Sequence, residues 1–188
     1  DAALFALQTP FLKGVILADE VGLGKTIEAG IVISQYWAER KRRILIIAPS
    51  SLRQQWQQEL HEKFLIPSSL LDGRTRDQLL AAGRSPEVLI CSYEFAQRHE
   101  TSLLRAWDVV VADEAHRLRN FWNGKAKVAS AVSHIAGGAN KTVLLTATPL
   151  QNRLEELYGL VSVFDPDYFY SLDAFRERYI KNRESAVF

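Results

Sequence analysis

Lys25 stands after two closely spaced glycines and before a hydroxyl residue, in the run Asp19-Glu20-Val21-Gly22-Leu23-Gly24-Lys25-Thr26. Gly22 and Gly24 let a backbone turn tightly and bring its N–H groups against an anion. A helix starting there aims the positive end of its dipole at the same point. In that arrangement the backbone of Glu20, Val21, Gly22, Leu23 and Gly24 cradles phosphates and Lys25 reaches the outer ones. The Thr26 hydroxyl holds a Mg²⁺ ion. The usual P-loop pattern has a glycine at the position of Asp19, so the strict pattern fails at its first residue. Standing alone, the run also fits a Gly-rich strand-to-helix turn with an exposed lysine.

A second constellation, Asp113-Glu114-Ala115-His116, follows the apolar run Trp107-Asp108-Val109-Val110-Val111. A carboxylate at the exit of a buried strand is costly unless it meets a cation. A magnesium ion shared with a nucleoside triphosphate would satisfy Asp113, and Glu114 would polarise the attacking water. His116 could couple this site to polar neighbours such as Gln151. Asp-Glu by itself better suits an ordinary helix start. Downstream of a phosphate cradle it points to ATP hydrolysis, which needs few residues because it is mostly positioning and charge stabilisation.

The elements that must position these groups alternate. Apolar runs at Val15–Ala18, Ile44–Ala48, Val88–Cys91, Trp107–Val111 and Thr142–Leu145 read as five strands. Helices are predicted over Gly24–Glu39, Leu52–Phe64, Arg74–Ala82, Ala126–Ile135, Arg153–Val163 and Leu172–Ile180. In the second of these, Leu52, Trp56, Leu60 and Phe64 form one apolar face at intervals of four. Strands that are apolar throughout, separated by helices, imply an α/β fold of three layers with a mainly parallel central sheet. Ligands of such sheets sit beyond the carboxyl ends of the strands, and each candidate motif follows a strand. Asn120–Gly124, around Trp122, reads as a loop. Trp37, Trp56 and Trp107 read as core or lobe-surface residues.

The 188 residues suit one domain, 1–188, with its own core. A net charge of +1 excludes a histone-like basic excess, so any nucleic-acid contact must be local. Cys91 is the single cysteine, which excludes an internal disulfide and suits a reducing compartment. No apolar run reaches the roughly 20 residues a membrane helix needs, and no leader pattern opens the chain. Methionine is absent even from position 1, so a segment of a longer chain is expected.

The motifs now resemble a known family. Asp19–Thr26, Asp113–His116 and Leu145-Thr146-Ala147-Thr148-Pro149-Leu150-Gln151-Asn152 resemble motifs I, II and III of the superfamily 2 helicases, in order and across nearly the whole chain. The Thr-Pro-Leu-Gln-Asn stretch and the Asp-Glu opening of motif I resemble the Swi/Snf-type branch. Glu20-Val21-Gly22 and Ile27-Glu28-Ala29-Gly30 resemble its bacterial members, the RNA-polymerase-recycling ATPase among them. The resemblance implies a P-loop NTPase fold: the first RecA-like lobe of a DNA-stimulated ATPase. Such an enzyme uses ATP and Mg²⁺, carries a DEAH box, and translocates on duplex DNA in the bacterial cytoplasm at the nucleoid. A strand-separating DNA or RNA helicase is the alternative. It also implies that the loops at Ala48-Pro49-Ser50-Ser51-Leu52 and Cys91-Ser92-Tyr93-Glu94 hold a DNA strand by its phosphates, through Pro49, Ser50, Ser51, Ser92 and Tyr93. Ser50 and Ser51 would equally serve as helix caps. Thr146 and Thr148 resemble the residues that couple nucleotide and DNA sites. Arg117 and Arg119 either extend a basic track or are solvated charges, as Lys41-Arg42-Arg43 is expected to be. Gln8 lies too close to Asp19 to match the family's adenine-reading glutamine. A second lobe, which supplies arginine fingers in the family, is expected as a partner. Without it this segment is expected to hydrolyse ATP poorly. Partners in transcription, repair or defence would come through other domains.

Overall fold

The structure, a computed structural model, describes residues 12–18, 24–81, 87–123, 126–148 and 153–181, without the side chains of 121–123. Six strands among them form one sheet in the order β1-β6-β5-β2-β4-β3. They are β1 (Gly14–Ala18), β2 (Ile44–Ala48), β3 (Ser68–Leu70), β4 (Val88–Ser92), β5 (Trp107–Ala112) and β6 (Ala139–Thr146). Every pairing is parallel.

The inner strands are mostly apolar because both faces are covered. Alternate residues feed two cores. Leu45, Ile47, Leu89, Cys91, Val110, Ala112 and Leu144 face one layer. Ile44, Ile46, Val88, Ile90, Val109, Val111, Val143 and Leu145 face the other. The first layer holds α4 (Tyr93–Arg98), α5 (Glu100–Leu103), α6 (Lys127–Gly137) and α7 (Glu155–Phe164). The second holds α1 (Lys25–Ala38) and α2 (Arg53–Phe64). Two short helices, α3 (Arg76–Leu79) and α8 (Leu172–Arg176), complete the set, and the last runs into a π turn over Glu177–Lys181.

Two glycine contacts set how closely neighbouring elements approach. A Cβ at Gly30 of α1 would lie 2.2 Å from the Phe64 ring of α2. A Cβ at Gly14 of β1 would lie 2.3 Å from the Phe164 ring of α7. At the amino ends of the strands Arg43 ties β2 to β5: its guanidinium donates to Asp108 Oδ1 at 2.9 Å and its backbone N–H to Oδ2 at 2.9 Å. That use explains the basic run: Lys41 pairs with Glu39, Arg42 lies over the Trp37 ring, and Arg43 holds Asp108. The triplet stands at the opposite end of the sheet from the cleft described below.

Several expectations change. Strand β3 was not expected, because Ser68-Ser69-Leu70 is short and polar; it exists by pairing with β4. The helix expected over Arg74–Ala82 is helical only at Arg76–Leu79, with Ala82 outside the described residues. The expected loop around Trp122 continues a 3₁₀ stretch, Ala115–Asn123, bent at Asn120. The five expected strands, the longer helices and the parallel sheet stand as expected.

Candidate nucleotide site at the carboxyl end of the sheet

The sheet register brings the carboxyl ends of the strands to one level: Ala18 pairs with Thr146, Ala112 with Leu144 and with Ile47, and Ala48 with Ser92. The expected motifs therefore share one edge of the molecule. On that edge Gly24, Lys25 and Thr26 line a cleft of about 320 Å³ together with Asp113 and Glu114. Helix α1 begins there. Its cap, Gly24, has φ 89° and ψ 29°, a left-handed conformation that glycine adopts without strain. The Gly24 carbonyl accepts from the N–H groups of Ile27 and Glu28 at 2.7 and 3.0 Å. Residues 19–23, and so Glu20, Val21, Gly22 and Leu23 of the expected cradle, lie outside the described residues, as does Gln151.

Asp113 continues the ladder of β5, its N–H donating to the Ile47 carbonyl at 2.8 Å. Its side chain is buried, 7% exposed. Oδ1 accepts from the Glu114 backbone N–H at 2.8 Å, and Oδ2 accepts from the Trp56 indole N–H at 2.8 Å. Burial pushes the Asp113 carboxyl above its ordinary range, against these hydrogen bonds and the attraction of Lys25. Glu114 has φ 53°, in the left-handed region where a side chain is disfavoured. Such strain concentrates at functional sites. Here it accompanies the turn by which two consecutive acids line one cleft. His116 Nδ1 lies 3.0 Å from Glu114 Oε2. A carboxylate only accepts, so the imidazole N–H donates and orients it.

The loop after β2 leaves Ser50 and Ser51 exposed, with Pro49 partly so. Neither hydroxyl caps a helix; Ser50 Oγ donates to Glu94 Oε2 at 3.2 Å. The loop after β4 is different from expectation. Ser92 is buried and caps α4, accepting from the Phe95 N–H at 3.0 Å. Tyr93 is 1% exposed and its hydroxyl donates to the Asp113 carbonyl at 2.6 Å. Burial raises its pKa well above the ordinary value. The Tyr93 side chain therefore packs in the apolar layer under motif II, its hydroxyl taken by the Asp113 carbonyl. Arg117 remains exposed, 3.7 Å from Glu94 and over the Tyr93 ring. Arg119 turns inward to the buried Glu156 of α7 at 3.8 Å and belongs to no surface track. Thr146 is buried, and its hydroxyl accepts from the Thr148 N–H at 3.2 Å, so the two threonines form one turn.

The sequence pattern missed Trp56 as a site residue. Its spacing with Leu60 assigns it to the core, correctly, but nothing in a period of four shows where an indole N–H points. Gln55, Glu59 and Lys63 of α2 also line the cleft, joined in a row by hydrogen bonds from Gln55 and Lys63 to Glu59.

The sequence profile of the SNF2-related domain matches residues 4–186. The chain belongs to the SNF2-related domain family. This SNF2-related domain is 38% identical over 174 residues to YqhH of Bacillus subtilis, described as an uncharacterized ATP-dependent helicase; the match covers 90% of the chain and 29% of that protein. It is 38% identical over 172 residues to the RNA polymerase-associated protein RapA of Vibrio campbellii, covering 87% of the chain and 18% of RapA. The chain thus spans less than a third of either relative. Its fold is that of the Sulfolobus solfataricus SWI2/SNF2 ATPase core solved with dsDNA, at a TM-score of 0.78 and 22% identity, over 97% of this chain and 38% of that one. Among the described residues no helix is long and apolar enough to cross a membrane.

Proposed function

We propose that this domain is the first RecA-like lobe of a DNA-dependent ATPase that moves along duplex DNA, with a second lobe elsewhere in the same parent chain. The observation that carries this reading is the single cleft shared by Lys25, Thr26, Asp113 and Glu114. The cleft offers what ATP hydrolysis requires: a helix start and an ammonium for the phosphates, and a carboxylate pair for cation and water.

The donor set fits Mg²⁺. Among the described residues no group of three or more His, Cys, Asp or Glu could cage a metal. Mg²⁺ usually takes one or two protein oxygens and completes its shell with phosphates and water. Thr26 and Asp113 are the oxygens this cleft supplies. Held by Thr26 and Asp113, Mg²⁺ would supply charge neutralisation at the phosphates. Lys25 holds the outer phosphates in line. Glu114, oriented by His116, accepts the proton of the water that attacks the terminal phosphorus. Thr146 ends the strand between the two motifs, Thr148 lies in the turn after it, and both suit a coupling role.

DNA enters through the exposed Pro49-Ser50-Ser51 loop, with hydroxyls and backbone that grip phosphate without reading sequence. The dsDNA bound by the Sulfolobus neighbour and the polymerase association of RapA support a nucleic-acid substrate. The description of YqhH as a helicase supports strand separation as a second reading. The test is ATP turnover by the full-length protein with and without duplex DNA, alongside Lys25→Ala. Stimulation by DNA and loss of turnover in Lys25→Ala are expected. Wild-type turnover in that variant refutes the cradle, and indifference to DNA refutes the motor. A strand-displacement assay separates translocation from unwinding.

A further inference from the structure

We propose that Trp56 is a positioning residue for the metal-binding carboxylate: its indole N–H, 2.8 Å from Asp113 Oδ2, fixes the face that Asp113 offers to Mg²⁺ and ATP. The proposal deepens the nucleotide-site reading above and rests on it.

Three features of the contact carry it. First, both partners are buried, Trp56 at 1% exposure and Asp113 at 7%, so solvent offers the carboxylate little alternative to this donor. Second, a carboxylate has about four acceptor positions. Trp56 takes one on Oδ2 and the Glu114 N–H takes one on Oδ1. Both oxygens keep capacity for a cation and its waters, while rotation of the group is blocked from both ends. Third, the donor is neutral. A lysine or arginine at this place would pair with the carboxylate and cancel the charge that Mg²⁺ needs. An indole N–H orients the group and leaves its charge intact.

The surroundings make Trp56 a rigid support. It packs in the layer between α2 and the sheet with Leu60, and α2 is keyed to the phosphate-site helix α1 through Phe64 against Gly30. From the opposite layer the Tyr93 hydroxyl holds the Asp113 carbonyl. The acid is thus gripped by main chain on one side of the sheet and by side chain on the other. Hydrogen-bonding partners of metal-ligating groups typically change metal affinity by about 10–100-fold when removed.

A core tryptophan that merely satisfies its own N–H would leave metal affinity alone, and that difference is testable in the full-length protein. The Mg²⁺ concentration giving half-maximal binding of a non-hydrolysable ATP analogue is measured for the unsubstituted protein, Trp56→Phe and Trp56→His. Trp56→Phe keeps a ring without a donor and is expected to need about 10–100-fold more Mg²⁺. Trp56→His keeps a ring N–H but fills the core less well. It is expected to recover part of the Mg²⁺ affinity while melting at a lower temperature than the phenylalanine variant. An unchanged Mg²⁺ requirement in Trp56→Phe overturns the proposal, as does a requirement that follows melting temperature. If the unsubstituted protein shows no Mg²⁺-dependent nucleotide binding, the nucleotide-site reading itself falls. Should the variants not fold, the Trp56 indole N–H resonance of the unsubstituted protein reads the same contact. It is expected to move when Mg²⁺ joins bound nucleotide, and a stationary resonance overturns the role.

Discussion

Gly30→Ala should reverse its effect on stability according to what occupies position 64. In the native structure an added Cβ would lie 2.2 Å from Phe64 Cε2 and 2.3 Å from Cζ. Carbon atoms settle at about 3.5–4.0 Å, so the ring or the helix must retreat by more than about 1 Å. Overpacking of this kind costs about 1–3 kcal/mol. Against it, replacing an interior helical glycine by alanine returns about 0.8–1 kcal/mol of helix propensity. The net expectation is a loss of up to about 2 kcal/mol, from the difference of those two ranges. In a Phe64→Ala background the three nearest ring atoms are gone and only the propensity term remains. There the same substitution should stabilise by up to about 1 kcal/mol.

Denaturant unfolding of the four members of this cycle measures the coupling, expected at about 1–3 kcal/mol between the two positions. Nucleotide affinity supplies a second reading. Gly30 lies on the helix whose first turn holds Lys25 and Thr26, and Trp56 lies on the helix it touches. Forcing α1 and α2 apart should weaken ATP binding, and Phe64→Ala should restore it. Equal effects of Gly30→Ala in both backgrounds would refute the argument that the Phe64 ring sets the helix spacing.

The remaining expectations are shorter. Glu114→Gln keeps the shape of the left-handed turn and should retain ATP while blocking hydrolysis, read as bound unhydrolysed nucleotide after filtration; loss of nucleotide would mean that Glu114 serves structure. Among the described residues Gly24→Ala meets no atom closer than 3.8 Å, and the left-handed backbone costs it about 1–2 kcal/mol; nucleotide affinity should fall, and calorimetry that finds it unchanged would remove Gly24 from the cradle. The pKa of Asp108 moves in the opposite direction from that of Asp113. Burial raises it, but the Arg43 hydrogen bonds and charge prevail and hold the carboxyl below its ordinary value. Its contribution to stability is therefore present above the unfolded value of about 3.9 and is lost as pH falls through the lower folded value. Asp108→Asn should lower the denaturant midpoint at pH 7 and make no difference in strong acid. Because the Arg43 side chain is largely exposed, screening keeps the ion-pair part of that loss to about 1 kcal/mol or less.

Much of this was legible in the sequence because each signal was local and periodic. Ile44–Ala48 is a strand with the bounds its apolar run predicts, and Lys25 begins a helix where the glycine before it suggests. The convergence of Lys25 with Asp113 and Glu114 followed from the rule that parallel strands present their carboxyl ends together. What escaped depended on partners distant in sequence. Ser68–Leu70 becomes a strand only because β4 lies beside it. Tyr93 follows a strand, as a surface contact would, yet its hydroxyl has a buried carbonyl to meet at Asp113. Trp56 and Asp113 are 57 positions apart, and no pattern within either segment announces their hydrogen bond. Arg119 looked like a surface cation until α7 supplied Glu156.

The strand order adds a physical reason for the site that neither motif contains. Strands in a sheet stand about 4.8 Å apart. Were β1 and β5 neighbours, the exits to Lys25 and to Asp113 would be separated by one such step. That is too narrow for phosphate groups, a hydrated cation and an attacking water to lie between amine and acids. Placing β6 between them doubles the separation to about 10 Å. The strand that opens this gap is also the one that ends in the Thr146–Thr148 turn, directly between the two exits. Thr146 is buried there and bonded to the backbone of Thr148, which holds the turn beside the gap. The sheet order thus supports a role for these threonines in sensing the nucleotide, on grounds independent of the lettering of their motif.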